Sequence, residues 1–452
     1  MKIYQFIFSI SVMLLFGSCN NFLDVKPDVK MVIPKSLTDA ELLLNDYNTM
    51  NAGYPIFGEW SADEYYITPE TFDGKLNIDQ RNAYTWKDAN YDETAQWQRP
   101  YKTIFNANQV LEIINKLGFE GKSEKATNLS GIAHFYRAFA FHQLVEVYAP
   151  TYQKETATTE MGIPLRLVPG IDETSTRASL QQSYDQIIQD YNIAAHKLPI
   201  SESIKGRPFR ASAYAGLART YLVMRNYQQA YKYADSCLQL QAELMDFSKL
   251  NQTETLPINR FNVEVLFAAI SVTSGPMHLN NGLVDSILYR SYSTYDIRKY
   301  IFFRKNTYPL DSYSYKGSYD KSMANLFVGL TTSEIYLIKA EAACQIGQIE
   351  EARQLLNSLL ENRIDKSHFV AITENNPNAL LHLILQERKK ELLFRGRRWS
   401  DLKRLNLDPR FQKTLKRVVN NIEYLLEPNS RKYAFRLPQS VVLVGKLPQN
   451  IR

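Results

Sequence analysis

The sequence predicts a mainly α-helical chain, built from helical hairpins and interrupted by irregular, loop-rich insertions. Three observations carry that expectation. Apolar residues recur at helical spacing through several long segments. Two distant segments repeat one hairpin pattern. Two further stretches, at about 51–98 and 250–330, lose the helical period and are rich in tyrosine and polar residues, which favours surface loops.

The first residues stand apart from this scaffold. Ile3 to Phe16 is an apolar run of 14 residues behind a single Lys2. A membrane-spanning helix needs about 20 apolar residues, so the run suits the h-region of a secretory signal. Gly17 and Ser18 supply small residues for cleavage. Leu15-Phe16-Gly17-Ser18-Cys19 resembles a bacterial lipoprotein box, in which the Cys19 thiol receives a diacylglyceryl group and becomes the new N-terminus. The alternative is an ordinary secretory leader with a chance cysteine. Two or more acyl chains give stable anchoring, at about 0.8 kcal/mol per buried CH₂. Residues 1–18 thus read as a signal peptide and 19–36, with two prolines and no sustained period, as a tether. Residues 37–452 read as a single domain.

Composition excludes some partners. The chain carries 53 basic and 47 acidic residues, and the leader contributes only Lys2, so the charge beyond it is about +5. This small, dispersed excess does not point to nucleic acid. Cys237 and Cys344 lie in apolar helical patterns and read as buried thiols, although an oxidising compartment would allow them to pair.

The elements follow in order. "SLTDAELLLNDYNTM" starts with Ser36 or Thr38 as a cap and places Leu42, Leu43 and Tyr47 on one face. "YKTIFNANQVLEIINKLG" gives a stripe of Ile104, Val110, Leu111 and Ile114. "ATNLSGIAHFYRAFAFHQLVEVYA" is a long helix stopped by Pro150, and "SYDQIIQDYNIAAHKLP" is closed by Pro199. "AYAGLARTYLVMRNYQQAYKYADSCLQL" and "EIYLIKAEAACQIGQIEEARQLLNSLL" share a small residue at the first helix's crossing point (Ala218, Ala340). Each then has a turn, a hydrophobe (Tyr227, Ile349) and an alanine three residues on (Ala230, Ala352). That is tetratricopeptide logic, with a period of about 34 residues. The two hairpins are out of phase with such a period, which predicts an interrupted array in place of a continuous solenoid. "LLHLILQERKKELLFRGRRWSDLKRLN" predicts one last amphipathic helix, with eight Lys/Arg from Arg388 to Arg404 and Trp399 spaced to pack. Glu387, Glu391 and Asp401 interrupt the charge, so ion pairing fits better than a basic binding face.

These segments together resemble the SusD/RagB family. The lipoprotein box followed by "NNFLDVKP", then "RPYKTIFNANQVLEII", "HFYRAFAFHQLVEVYA" with "GIPL", and "SYDQIIQDYNIAAHKLP" occur in the family's order. "GRPFRASAYAGLARTYL", "SEIYLIKAEAACQIGQIEEARQLLN", "QERKKELLFRGRRWSDLKRL" and the closing "LPQN" complete the match. "RLPQSVVLVGKLPQN" departs from the family in lacking an acidic residue before the closing signature. The resemblance implies a SusD-like fold of tetratricopeptide-like hairpins with an irregular, ligand-bearing part. It also implies a lipid-anchored, outer-membrane, cell-surface protein partnering a TonB-dependent, SusC-like transporter. Its expected ligand is an oligosaccharide or sometimes a peptide, with neither catalysis nor a cofactor. A glycan-degrading lipoprotein is the alternative.

The residues suggest where such a ligand would sit. Between Tyr289 and Tyr319 there are eight tyrosines in 31 residues, where 29 in 452 would give about two. Tyrosine offers an apolar plane and a hydroxyl, which suits the CH face and hydroxyl rim of a sugar. Tyr289, Tyr292, Tyr295, Tyr313 and Tyr315 are candidates from this cluster. The structural alternative for Tyr289, Tyr292 and Tyr295 is a packed hairpin face, since Tyr289 and Tyr295 would share one side of a strand. Trp60, Asp63, Tyr65, Tyr66 and Trp86 are candidates from the early irregular stretch, which also holds Tyr91. Trp97 reads mainly as scaffold, and Glu64 and Asp285 are possible hydroxyl acceptors. No H-E-x-x-H, G-x-S-x-G, paired C-x-x-C or Walker loop occurs, and "GFEGKS" lacks P-loop spacing. His134 and His142 are two turns apart, too far for a metal shared by adjacent turns. A glycosidase would need two carboxylates roughly 5–10 Å apart; Glu59 with Asp63 is one such possibility.

Overall fold

A computed structural model describes residues 34–170 and 174–452. The leader, Cys19 and most of the tether lie outside the described residues. Residues 36–452 form one unit, mainly helical with several small sheets.

Helix α1 (Leu37–Asn45) begins with a capping box: Ser36 Oγ accepts the Asp39 N–H at 3.2 Å, and the Asp39 carboxylate accepts the Ser36 N–H at 3.0 Å. Its buried face is Leu37, Ala40 and Leu44, while Leu42 is 64% exposed. The predicted Leu42–Leu43–Tyr47 face is therefore corrected. The helix ends at Asn45, and Asp46 caps a separate turn, Tyr47–Met50, which changes the phase. Helix α2 (Ala95–Lys116) starts earlier than expected and contains Pro100. Ile104, Val110 and Ile114 are buried along it, and Leu111 is partly buried.

Helix α3 (Glu124–Tyr148) is capped by Ser123 and buried around most of its circumference, the position a helix takes between other layers. It packs against α2 on one side and α4 (Leu180–Lys197) on the other. His134 and Arg137 both meet Asp190 of α4, with Arg137 Nε and Nη2 donating at 2.9 and 2.7 Å. His134 is thus committed to a structural pair.

The hairpins are α5 (Arg210–Val223) with α6 (Tyr227–Leu240), and α8 (Thr332–Gln345) with α9 (Ile349–Glu361). The short α7 (Ser286–Ser291) lies in the insertion between them. Ala218, Ala230, Ala340 and Ala352 are fully buried, so each small residue occupies a helix contact. Although the chain leaves for about 250–330, α6 packs directly on α8. The array interrupted in sequence is contiguous in space, and Arg219 of α5 is paired with Glu334 of α8. Cys237 and Cys344 are free and buried.

The predicted last helix is two: α10 (Pro377–Glu391) and α11 (Arg398–Leu405). Between them Phe394 and Gly396 adopt φ +57° and +70°. A Cβ on Gly396 would lie 2.8 Å from Val328 Cγ1, so the turn needs glycine both for its conformation and for space. Helix α11 packs on the turn Phe57–Ser61, where Gly58 permits the Trp399 indole to approach.

The insertions are knitted together by short strands. β1 (Ala52–Tyr54) runs parallel to β3 (Ile270–Thr273), which pairs antiparallel with β5 (Asn325–Phe327). β2 (Tyr65–Tyr66) pairs with β4 (Leu283–Val284), matching Tyr65 to Val284 and Tyr66 to Leu283. A ribbon, β6 (Leu415–Val419) and β7 (Ile422–Leu426), turns through Asn420 and Asn421, both at positive φ. Near the end of the chain, Asn450 Nδ2 donates to Tyr148 O at 2.7 Å and to Phe435 O at 2.6 Å.

Candidate functional site

Where β2 and β4 join, the early irregular segment meets α7, the end of α10 and strand β6. A cleft of about 580 Å³ opens between them. Asp63, Tyr65, Tyr66, Tyr84 and Trp86 line one wall, and Asp285, Ile287 and Ser291 line another. Lys389, Lys390, Lys413, Lys416 and Arg417 complete it.

Arg417 forms the floor. Leu415 and Val419 share its face of the alternating strand β6, so the guanidinium points inward and is 7% exposed. It donates to the carbonyls of Trp60, Ala62 and Tyr84, and lies over the rings of Tyr84, Trp86 and Tyr65 at 3.7, 4.9 and 5.4 Å from their centroids. Among the described residues no carboxylate forms an ion pair with it. The rings are fixed in turn. Tyr65 Oη donates to Trp60 O at 2.7 Å, and Trp86 Nε1 donates to Ser61 O at 3.0 Å from a backbone at φ +52°. The Ile67 N–H donates to Tyr84 Oη at 3.1 Å. Burial raises the phenol pKa of both tyrosines.

Asp63 is the second node. Arg398 donates to it through Nε at 2.6 Å and Nη2 at 3.1 Å, Lys413 at 2.6 Å, and Lys389 at 3.3 Å. Burial alone would raise its pKa, but these three cations hold the carboxyl well below the usual range. Glu64 behaves oppositely: burial first, and then the nearby Glu59, push it well above the carboxylate range, and it accepts the Phe394 N–H at 3.0 Å. Asp285 caps α7 by accepting the Leu288 N–H at 2.8 Å.

The sequence candidates separate by place. Asp63, Tyr65, Tyr66 and Trp86 meet in the cleft with Asp285. Trp60 does not. It is 2% exposed, its Nε1 donates to Ser274 O at 2.9 Å, and it packs edge-on to Phe57 within the core. Tyr91 is also core, against Phe57 and Phe435. Tyr289 lies in helix α7 and Tyr295 in a turn beyond it, so the expected strand and its common side are absent. Tyr289 and Tyr313 are half-buried and stack on each other with centroids 3.6 Å apart, away from the cleft lining. Tyr292 is 1% exposed and donates to Lys390 O at 2.9 Å. Tyr315 is 8% exposed and donates to Gly317 O at 2.6 Å. Tyr295 is exposed and stacks on His368. Trp97 packs on Tyr101 and Tyr148.

Sequence reasoning missed Tyr84, Arg417 and the lysines. One signal was present: arginine on the apolar face of an alternating strand, Leu415–Arg417–Val419, marks a charge with buried partners. Both members of the suggested carboxylate pair are engaged by neighbours. Glu59 is 4% exposed and accepts the Trp399 N–H, and Asp63 is engaged by three cations.

Comparison with known proteins places this architecture. A SusD-like family model described as "Starch-binding associating with outer membrane" matches residues 21–222, and a SusD family model matches residues 274–437. SusD-like protein P2 of Formosa agariphila is 25% identical, over 72% of this chain and 74% of that protein. SusD-like protein P38 of the same organism is 22% identical, over 87% and 89%. A SusD superfamily protein from Bacteroides thetaiotaomicron superposes with a TM-score of 0.76 at 21% identity, covering 92% of this chain and 100% of that one. A SusD-like carbohydrate binding protein from Bacteroides vulgatus superposes with a TM-score of 0.70 at 19% identity, covering 91% and 97%.

Proposed function

Because the chain belongs to the SusD/RagB family, we propose that it binds carbohydrate at the cell surface as a lipoprotein and passes it to a TonB-dependent, SusC-like transporter. The observation that carries the binding role is the cleft at Asp63, Tyr66, Trp86 and Asp285. Its volume of about 580 Å³ is that of a small-molecule site, and it mixes aromatic edges with hydroxyl, carboxylate and ammonium groups. The family model matching residues 21–222 is described as starch-binding and associating with the outer membrane, and the Bacteroides vulgatus fold relative is a SusD-like carbohydrate binding protein. The role is binding without catalysis.

Isothermal titration of the purified protein against a panel of oligosaccharides and peptides tests the ligand class. Saturable binding of a glycan is expected, and binding confined to peptides would redirect the reading. Release of reducing ends on incubation with polysaccharide would replace it with a degradative one. The anchor is tested separately. Cys19→Ser is expected to move the protein from the membrane to the soluble fraction, and a membrane-retained variant would refute lipidation at that position. Co-purification from detergent-solubilised outer membrane tests the transporter.

A further inference from the structure

The charge of the cleft is lopsided. Five basic residues line it against two acidic ones. Surface lysines alone would mean little, but here the excess is built into the structure. Arg417 is 7% exposed and held by three backbone carbonyls and three aromatic rings, so its positive charge has no anionic partner among the described residues. Asp63 is a single carboxylate shared by Arg398, Lys389 and Lys413. Glu387 and Glu423 pair Lys390 and Lys416, and the excess that remains is Arg417 and the three cations on Asp63. Burial pushes Glu64 well above the usual carboxylate range, and Glu59 to about 7. Asp285 caps α7 through Oδ1 alone, and one further carboxylate does not offset these four cations.

A neutral sugar needs hydroxyl partners and no net field. A desolvated guanidinium beside lysines that outnumber their carboxylate gains most from an incoming anion, through short charge-assisted hydrogen bonds. Lys413, whose side chain is 50% exposed and which shares Asp63 with two other cations, can turn toward a ligand, whereas Lys416 is paired with Glu423 and Lys390 with Glu387.

We infer that the cleft selects acidic glycans, with Lys389, Lys413 and Arg417 receiving an anionic substituent of the sugar while Tyr66 and Asp285 contact the ring and its hydroxyls. The inference rests on the carbohydrate-binding reading and narrows it to a substrate class. Carboxylate and sulfate ester offer the same oxyanion chemistry, and the experiment separates them.

Titrate the folded protein with oligogalacturonides, with sulfated galacto-oligosaccharides, and with neutral malto- and xylo-oligosaccharides of matched length. One acidic arm is expected to bind at least about tenfold more tightly than the neutral arms, and that arm identifies the substituent. Its affinity is expected to weaken as salt rises from about 50 to about 500 mM, where screening shortens to a few ångströms. Lys413→Gln and Lys389→Gln are each expected to weaken acidic binding about tenfold. Their thermal unfolding verifies folding, and exposed Lys413 is the safer of the two. Equal or tighter binding of neutral glycans would overturn the acidic preference and leave carbohydrate binding standing. Acidic binding indifferent to both substitutions would place the site elsewhere and overturn the assignment to this cleft. Binding in no arm would overturn both readings.

Discussion

Trp86 and Tyr66 share one wall of the cleft and do different work. Trp86 is buried, hydrogen-bonded to Ser61 O and stacked on Arg417, so it builds the wall. Tyr66 is only partly buried and faces the opening. Trp86→Ala is expected to cost about 3–5 kcal/mol of stability in urea unfolding, with any loss of binding secondary to that. Tyr66→Ala is expected to leave the unfolding midpoint nearly unchanged and to weaken glycan affinity about tenfold, the scale of one aromatic contact. Away from the cleft, His142 of α3 is 1% exposed, and its Nδ1 lies 3.2 Å from Thr220 Oγ1. Burial lowers its pKa from 6.5 to about 4. The unfolded chain therefore binds more protons between these values. The contribution of neutral His142 is complete above pH 6.5 and is lost as the pH falls through about 4. Melting temperatures measured across that window are expected to fall with acid, and His142→Gln is expected to flatten the slope. Sequence reading recognised these aromatic residues as candidates, but side-chain burial depends on neighbours hundreds of positions away. The same residue type at Trp60 consequently became core.

Among the elements, the break between α10 and α11 matters most. A continuous helix would carry Arg397 and Arg398 onward along the α10 axis. The turn through Phe394 and Gly396 redirects them, so that Arg397 meets Glu146 and Arg398 meets Asp63. Gly396→Ala is expected to destabilise the protein by about 1–3 kcal/mol, through strain at positive φ and contact with Val328. A shift in the urea midpoint measures it. The basic pattern from Arg388 to Arg404 was legible as an ion-paired segment, and Arg388–Asp401 and Arg404–Glu341 are such pairs. The break was less legible, because apolar spacing continues through Leu392, Leu393 and Trp399, and a lone glycine within a helical pattern is commonly tolerated.

At the scale of the whole molecule, buried charge locks the insertion to the hairpins. Arg363, just after α9, reaches Glu264 at 2.6 Å and Glu391 at 2.9 Å, and Glu391 also accepts from Arg298 at 3.3 Å. Glu264 and Arg298 belong to the inserted segment, and Glu391 closes α10. Glu391→Ala leaves two buried guanidinium groups short of an anion and is expected to cost about 3–5 kcal/mol, read as a lowered denaturation midpoint. Local physics let the sequence alone determine the helices of the hairpins, their alanine contacts and the ends at Pro150 and Pro199. Those features depend on residues within a turn or two of one another. Only the tertiary structure decided that the two hairpins stack, that Tyr292 and Tyr315 turn inward, and that Asp63, Trp86, Lys389 and Arg417 share one cleft. Each of those outcomes depends on pairings between segments far apart in the chain, such as Tyr65 with Val284 and Asp63 with Arg398, for which neither periodicity nor spacing carries a signal.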